Sequence, residues 1–383
     1  MENYTKQSYE PDCLFISCSG GCGINNEPFS LVPCDDKLTQ NILILAYDKP
    51  LTVTELAKSL GIPAPYIEPV VEKLVGSELM KKTDGGKVYT DFIIYKDADR
   101  KANFKEQLET AEKNFESFWS VVSEALAELR ERDYYKRQNN HAKHKLEIHF
   151  SIKLLMNANV SVREEITGAM PYEDYPHRKD GGRWIAMGNL YPAGYKFEYN
   201  ADIDKYTFSG EAGTAVRNFR DAKNVVMRIF STELGKIPYR CYEDEYTKWL
   251  YEINSGIPFE ESSVGTHILE SADTFIECGI LVRDHGLKLD IPILTEEEYR
   301  DESHLAYSYV DRLYKSTREA VLPLYMKGYT RLPVHLKSVP KYQQYMNCGY
   351  SVTMAVIYQA VERGLFLKDV NYPVPAAILV IDK

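Results

Sequence analysis

Four of the chain's seven cysteines fall within its first 34 residues, at Cys13, Cys18, Cys22 and Cys34, with Gly20, Gly21 and Gly23 among them. Thiolates gathered on flexible glycines can wrap a zinc ion or an iron–sulfur cluster, and four is the number a closed site needs. No C-x2-C pair of a standard knuckle occurs, so two expectations stand side by side: a zinc or iron–sulfur site, or a mobile tail with ordinary thiols. A second set of ligand-type residues is His141, His144 and His149 in HAKHKLEIH. Lys143 and Lys145 alongside them disfavour a cation and no H-E-x-x-H is present, so surface histidines on a helix are expected. Cys241, Cys278 and Cys348 are scattered and are expected to be buried thiols. There is no G-x-x-x-x-G-K-[ST], no G-x-S-x-G and no G-x-G-x-x-G opening a helix. The chain is therefore expected not to be an enzyme; the alternative is an unfamiliar active site, because pockets are assembled in space rather than along a chain.

Length and balance bound what can position these residues. The 383 residues allow roughly two to four domains with ample core. With 44% hydrophobic and 27% charged residues the composition is that of a globular protein. A net charge of −10 is unhelpful to a general nucleic-acid binder, so any DNA contact must be a local basic patch. No run of eighteen apolar residues occurs and MENYTKQSYEPD lacks a signal-peptide core, which points to a cytoplasmic protein without a membrane partner. An odd number of cysteines argues against a disulfide scaffold and fits a reducing compartment.

Residues 35–99 carry the most legible pattern. Thr52 and Glu55 form T-x-x-E, a capping box that satisfies free backbone N–H groups at a helix start. Val53, Leu56, Ala57 and Leu60 then make one apolar stripe ending at Gly61, a left-handed stop. A second stripe, Ile67, Val70, Val71, Leu74 and Val75, follows the turn Gly61-Ile62-Pro63. Leu38 to Tyr47 supplies a preceding helix, started by Asp35 or Asp36. Glu78 to Ile94 reads as two strands around Asp84-Gly85-Gly86, a turn that accommodates positive φ. Three helices and a hairpin in this order resemble the winged helix-turn-helix regulators of bacterial transcription.

That resemblance implies DNA contacts from the third helix and the hairpin, and the candidates are Tyr66, Lys73, Lys81, Lys82 and Lys87. The three hairpin lysines can hold phosphates without reading sequence. Glu68 and Glu72 on the same helix repel phosphate, and Pro69, lacking an N–H, is expected to disturb its first turns.

The remaining chain divides by pattern. Residues 1–34 form the cysteine-rich segment, 35–99 the first module, and 100–140 a long amphipathic helix. In that helix Phe104, Leu108, Ala111, Phe115, Phe118, Val122, Ala125 and Leu129 alternate steps of four and three. A homodimer through Phe104, Leu108, Phe115, Phe118, Val122 and Leu129 is expected, with packing on its own domain as the alternative. Residues 141–240 form an α+β region with a helix through Ile152, Leu155 and Met156, then a stretch from Ala169 to Glu211 dense in tyrosine, proline and glycine. Strand-like pieces lie at Arg183–Tyr191, Tyr195–Tyr199 and Tyr206–Ser209, and aromatic core plus interface is favoured over a small-molecule pocket. Ala212 to Leu234 and Thr247 to Asn254 read as helices.

In 241–300 the opening pattern recurs, with helix Thr266 to Cys278 before GILVRDHGLKLDIPILTEEEYR. In 301–383 a fainter third copy is expected, helix Gln343 to Arg363 before a hairpin in Gly364 to Ile381. The fold class expected is α+β and mostly helical, with two or three winged-helix-like units joined by long helices. The second unit's presented stretch carries Glu260, Glu261, Glu270, Asp273 and Glu277 without lysine or arginine, which suits a basic partner rather than DNA.

PCDDKLTQNILILAYDKPLTVTELAKSLG, TDGGKVYTDFIIY and RWIAMGNLYPAGY are also similar to the segment that follows the sigma-type regions in some bacterial sigma-factor-like proteins, a resemblance covering most of the chain. It implies a place beside RNA polymerase. No core-binding or promoter-reading region precedes Cys13, so direct promoter recognition is not implied. Two functions are expected: a dimeric, effector-responsive transcription regulator binding DNA through residues 35–99, or a non-enzymatic adaptor whose modules dock on RNA polymerase or a sigma factor. A small molecule in the aromatic region, or a metal at the cysteines, would make the chain a sensor.

Overall fold

The computed structural model describes residues 11–22, 31–33, 35–194, 206, 208, 210–232, 234–235, 237–327, 332–336, 339–345, 349–366 and 372–383. Cys34, Cys348, the strand expected at 195–199 and residues 207 and 209 of that expected at 206–209 lie outside them.

Strand β1 (Cys13–Gly21) opens the chain. Helix α1 (Lys37–Leu45) starts where the Asp36 carboxylate accepts from the Thr39 N–H at 3.0 Å. Helix α2 (Val53–Leu60) carries the capping box read from the sequence. Glu55 N donates to Thr52 Oγ1, Thr52 N donates to Glu55 Oε2, and Gly61 ends the helix with φ +66°. Helix α3 (Ala64–Gly76) runs through Pro69 without a break. Pro69 sits in the second turn on the exposed face, so only the Pro65 carbonyl loses its helical donor and water can replace it. Ile67, Val71 and Leu74 on α3 pack with Leu56 of α2 and with Ile42 and Leu43 of α1.

Strands β2 (Met80–Lys82) and β3 (Val88–Thr90) form the hairpin, with Gly86 at φ +75°. The second strand expected in this hairpin is two: the chain turns at Asp91 and β4 (Ile93–Tyr95) leaves to join another sheet.

The long helix expected over 100–140 is interrupted. Helix α4 (Asp97–Lys113) ends at Asn114, whose side chain donates to the Thr110 carbonyl at 2.8 Å, and α5 (Phe115–Glu131) begins after it. A short α6 (Asp133–Lys136) precedes α7 (Asn140–Thr167), which holds Ile152, Leu155 and Met156 as expected.

Beyond β5 (Arg183–Tyr191) the segment expected to be helical, 212–234, is instead an antiparallel pair, β6 (Ala212–Phe219) and β7 (Ala222–Phe230), turned at Arg220 with φ +56°. A short run of branched apolar residues fits either period. Pairing with a distant strand decides it, because β7 lies between β6 and the last strand of the chain. Helix α8 (Asp244–Asn254) matches its expected position. Thr266–Ser271 is a 3-10 turn and only Ala272–Glu277 is α-helical, as α9. Strands β8 (Leu281–Arg283) and β9 (Leu287–Leu289) pair as a hairpin, and β10 (Ile293–Thr295) leads into α10 (Glu296–Met326).

The third copy is not there as expected. The helical stretch is α11 (Lys341–Gln344) and α12 (Tyr350–Glu362). The described residues after it hold one strand, β11 (Ala376–Asp382), paired with β10 and β7 in the order β10-β11-β7-β6. Six consecutive buried residues make β11 a central strand, whereas a hairpin on a surface would alternate.

Two compact units result. One comprises residues 1–105, 163–198 and 324–348, the other 106–162, 199–323 and 349–383, so both gather distant stretches of chain. The fold is α+β, with helices predominating over small sheets. Among the described residues no helix is long and apolar enough to cross a membrane.

In the first unit β5 is the middle strand, antiparallel to β1 and parallel to β4. Its Gly188 lies where a Cβ would meet Leu14, Phe92 and Ile94 at 2.9–3.2 Å. The variant G188A is expected to lose about 1–3 kcal/mol of stability through overpacking, read as a lower urea midpoint with unchanged slope.

Candidate functional site

Helix α3 buries one stripe and presents the other. Tyr66 is 69% exposed, flanked by exposed Pro65, Glu68, Pro69, Glu72 and Lys73. The hairpin beside it exposes Lys81, Lys82 and Lys87, so the five residues expected to touch DNA do lie on the surface of one module.

Their charges are another matter. Lys81 Nζ is 2.8 Å from Asp91 Oδ2, and Lys82 Nζ is 2.6 Å from Glu72 Oε1. The Asp91 side chain is almost covered; burial raises its carboxyl above the ordinary value, opposed by Lys81. Lys87 acts on Glu55, whose carboxylate is held low mainly by hydrogen bonds from the backbone and hydroxyl of Thr52. A phosphate arriving at Lys81 or Lys82 therefore meets a carboxylate at each, and gains little of the attraction an unopposed cation would give. In the second unit Glu260, Glu261, Glu270, Asp273 and Glu277 are all exposed, and Asp273 is paired with Arg283 at 3.1 Å.

The four expected metal cysteines do not converge through Cys13. It stands five residues from Cys18 along β1, about 16 Å at strand rise, and Lys37 Nζ lies 2.8 Å from its sulfur. A tetrahedral site needs every thiolate at about 2.3 Å from one ion. Cys18 and Cys22 do meet, with 3.3 Å between their sulfurs, and among the described residues no group of three or more candidate ligands forms.

The expected dimer seam is largely used inside the chain. Phe115, Phe118, Val122 and Leu129 are buried in the second unit, with Phe115 stacked on Trp119 and covered by the Arg363 guanidinium, while Phe104 and Leu108 are half-buried. Two of the three histidines read as surface residues are buried: His144 and His149, with only His141 substantially exposed. The α7 face that carries them points inward. From the aromatic stretch, Trp184 is wholly buried beneath the guanidinium of Arg178.

What the sequence reading missed is the ion cluster this inward face builds. Lys153, four residues after His149 on α7, donates to Glu302 Oε2 at 2.5 Å and to Ser303 Oγ at 3.0 Å. His149 Nε2 is 3.1 Å from Glu211 Oε1 and its Nδ1 is 3.7 Å from Glu302 Oε1, and Tyr299 donates to Glu211 at 2.7 Å. Lys153, His149 and Glu302 are essentially without solvent. Burial alone would raise Glu302, but Lys153 and His149 outweigh it and hold its carboxyl low. Glu211, likewise opposed by burial, is brought down to about 2 by His149, Lys153 and Tyr299. The one signal available in the sequence was the i, i+4 spacing of His149 and Lys153 on a helix. On the same helix buried Lys145 donates to the carbonyls of Gly279 and Asp290 and to the Asp290 carboxylate, fastening the β8–β9 hairpin.

Compared with known proteins, the chain matches no family model, no curated protein and no solved structure.

Two outcomes follow from the buried charges. The variant K153M leaves the fully buried Glu302 carboxylate without its lysine and is expected to cost about 3–5 kcal/mol; K153M/E302M, which removes the pair together, should recover most of it in chemical denaturation. His144, between the rings of Phe366 and Tyr372, is pushed down to about 4 by burial. The unfolded chain takes up this proton first, near pH 6.5, so the stability His144 allows is present above that pH. It is lost as pH falls through about 4. H144F should flatten that part of the stability-versus-pH curve, while the loss below pH 4 owed to Glu211 and Glu302 persists.

Proposed function

We propose that this chain is a non-enzymatic adaptor that docks on a protein of the transcription machinery through residues 35–95. In this reading the module is winged-helix-like: α1 to α3 with the β2–β3 hairpin, and α3 as the presented helix. The observation that carries the proposal is the internal neutralisation of two of the three hairpin lysines, Lys81 by Asp91 and Lys82 by Glu72. A DNA-binding face gains affinity by releasing counterions from phosphate, and cations already matched to carboxylates have little to contribute.

The same face suits protein. Tyr66 is a rigid aromatic side chain standing clear of the surface between two prolines, the kind of residue that anchors an interface by filling a partner's pocket. Glu68 beside it offers a negative rim to a basic partner. The likeness of this stretch to the segment following sigma-type regions supports RNA polymerase, or a sigma factor bound to it, as that partner. The runner-up is a regulator that binds DNA directly with the same module; exposed Lys73 favours it, since among the described residues no carboxylate pairs with that side chain.

The test uses the full chain with purified bacterial RNA polymerase and, separately, with random duplex DNA across a salt titration. Saturable polymerase binding is expected, weakened at least tenfold by Y66A, since truncating an aromatic anchor costs about 2 kcal/mol or more. Weak DNA binding, unchanged when Lys81, Lys82 and Lys87 are reversed to glutamate, is expected alongside it. Sub-micromolar, steeply salt-dependent DNA binding that disappears on that reversal would replace the adaptor with the regulator, and absence of any polymerase complex would remove the assigned partner.

A further inference from the structure

Cys18 lies near the end of β1, opposite Ala186 of β5, and Cys22 stands one residue past the strand. Between them Gly20 adopts φ +103°, where a side chain would run into the backbone carbonyl of Arg183. The ladder with β5 continues through Gly21 opposite Arg183, the Cys18 and Cys22 sulfurs stand 3.3 Å apart, and both side chains are half-buried rather than sealed. A disulfide needs an S–S separation of about 2.05 Å, a closure of little more than an ångström by side-chain rotation.

The other described cysteines differ. Cys13 is buried on β1 and Cys241 and Cys278 are buried in the second unit. Burial pushes Cys278 up to about 11 and Cys241 well above the ordinary thiol range, which keeps both unreactive.

We propose that Cys18 and Cys22 are a redox-active dithiol, closing to an intrachain disulfide when a small-molecule disulfide such as oxidised glutathione accepts their two electrons, and reopening in excess reduced glutathione. In the forward direction one cysteine gives up its proton and its thiolate attacks a sulfur of oxidised glutathione. A mixed disulfide forms and one glutathione thiolate leaves. The second cysteine, deprotonated in turn, attacks the protein-side sulfur of that bond and expels the second glutathione. The two protons lost by the cysteines end on the two released glutathione thiols, so the protein is oxidised by two electrons and glutathione is reduced by two. The product closes residues 18–22 into a ring at the edge strand of the β1-β5-β4 sheet.

The experiment equilibrates the full chain in buffers of graded reduced-to-oxidised glutathione ratio, quenches with acid, alkylates remaining thiols and weighs the peptides. As the oxidised fraction rises, the peptide holding Cys18 and Cys22 is expected to lose both alkyl groups and to be lighter than the dithiol by two hydrogen atoms. Excess reduced glutathione should reverse the change. C22S is expected to stop at a glutathione adduct on Cys18, and C18S at one on Cys22. The idea is overturned if both cysteines stay alkylatable at every ratio. It is equally overturned if either pairs with Cys13, Cys34 or a second chain, or if the isolated protein carries stoichiometric zinc that C18S/C22S releases.

Discussion

The first unit depends on β5 lying between β1 and β4. Residues 183–191 must find residues 13–21 on one side and 93–95 on the other, and the register leaves Gly188 beneath Leu14, Phe92 and Ile94. Nothing local encodes that meeting; the chain closes very long loops before any of these hydrogen bonds forms. What repays the closure is apolar burial, because the strands carry Leu14, Ile16, Ile93, Ile94, Trp184 and Ala186 into the same core that holds α1 to α3. The Gln343 side chain donates to the Ala186 carbonyl and the Tyr95 hydroxyl donates to the Gln343 carbonyl, so the far end of the chain is tied to the same sheet.

Charge is spent inward throughout. Lys145, Lys153, Glu147, Glu302 and His149 are all buried, and Lys145, Lys153, Glu147 and Glu302 each hold a hydrogen-bonded partner of opposite charge. Glu147 shows the pattern: it takes two hydrogen bonds from Arg130 and another from Tyr135. Such groups are costly to bury and more costly to leave unpaired, so each fixes one arrangement of the helices around it. On the surface of residues 35–95 the same habit pairs Lys81 with Asp91 and Lys82 with Glu72.

Local signals in the sequence proved readable where they are self-sufficient. The Thr52–Glu55 box, the Gly61 stop and the Asp84-Gly85-Gly86 turn act over a few residues and need no partner, and each stands where it was expected. Apolar patterns alone were less informative. The stripe from Phe104 to Leu129 fits a coiled-coil seam and a helix buried in its own unit equally well, since both need one apolar face. The run Val225, Val226, Met227 and Ile229 fits a helix as well as a strand buried on both sides. Histidines spaced along HAKHKLEIH gave no sign of which face would turn inward.

By itself, then, the sequence determined the capped helices, the glycine turns, the predominance of helix and the candidate residues on α3 and the hairpin, because those follow from backbone hydrogen bonding and spacing within one element. Tertiary structure alone decided that residues 212–230 and 376–382 are strands and that Phe115 to Leu129 face their own chain. It also decided that His149 and Lys153 meet Glu211 and Glu302, that Cys18 reaches Cys22 but not Cys13, and that Lys81 and Lys82 are already matched. Each of those depends on which distant group arrives opposite, and the free energy that selects it comes from burial and charge pairing across the fold.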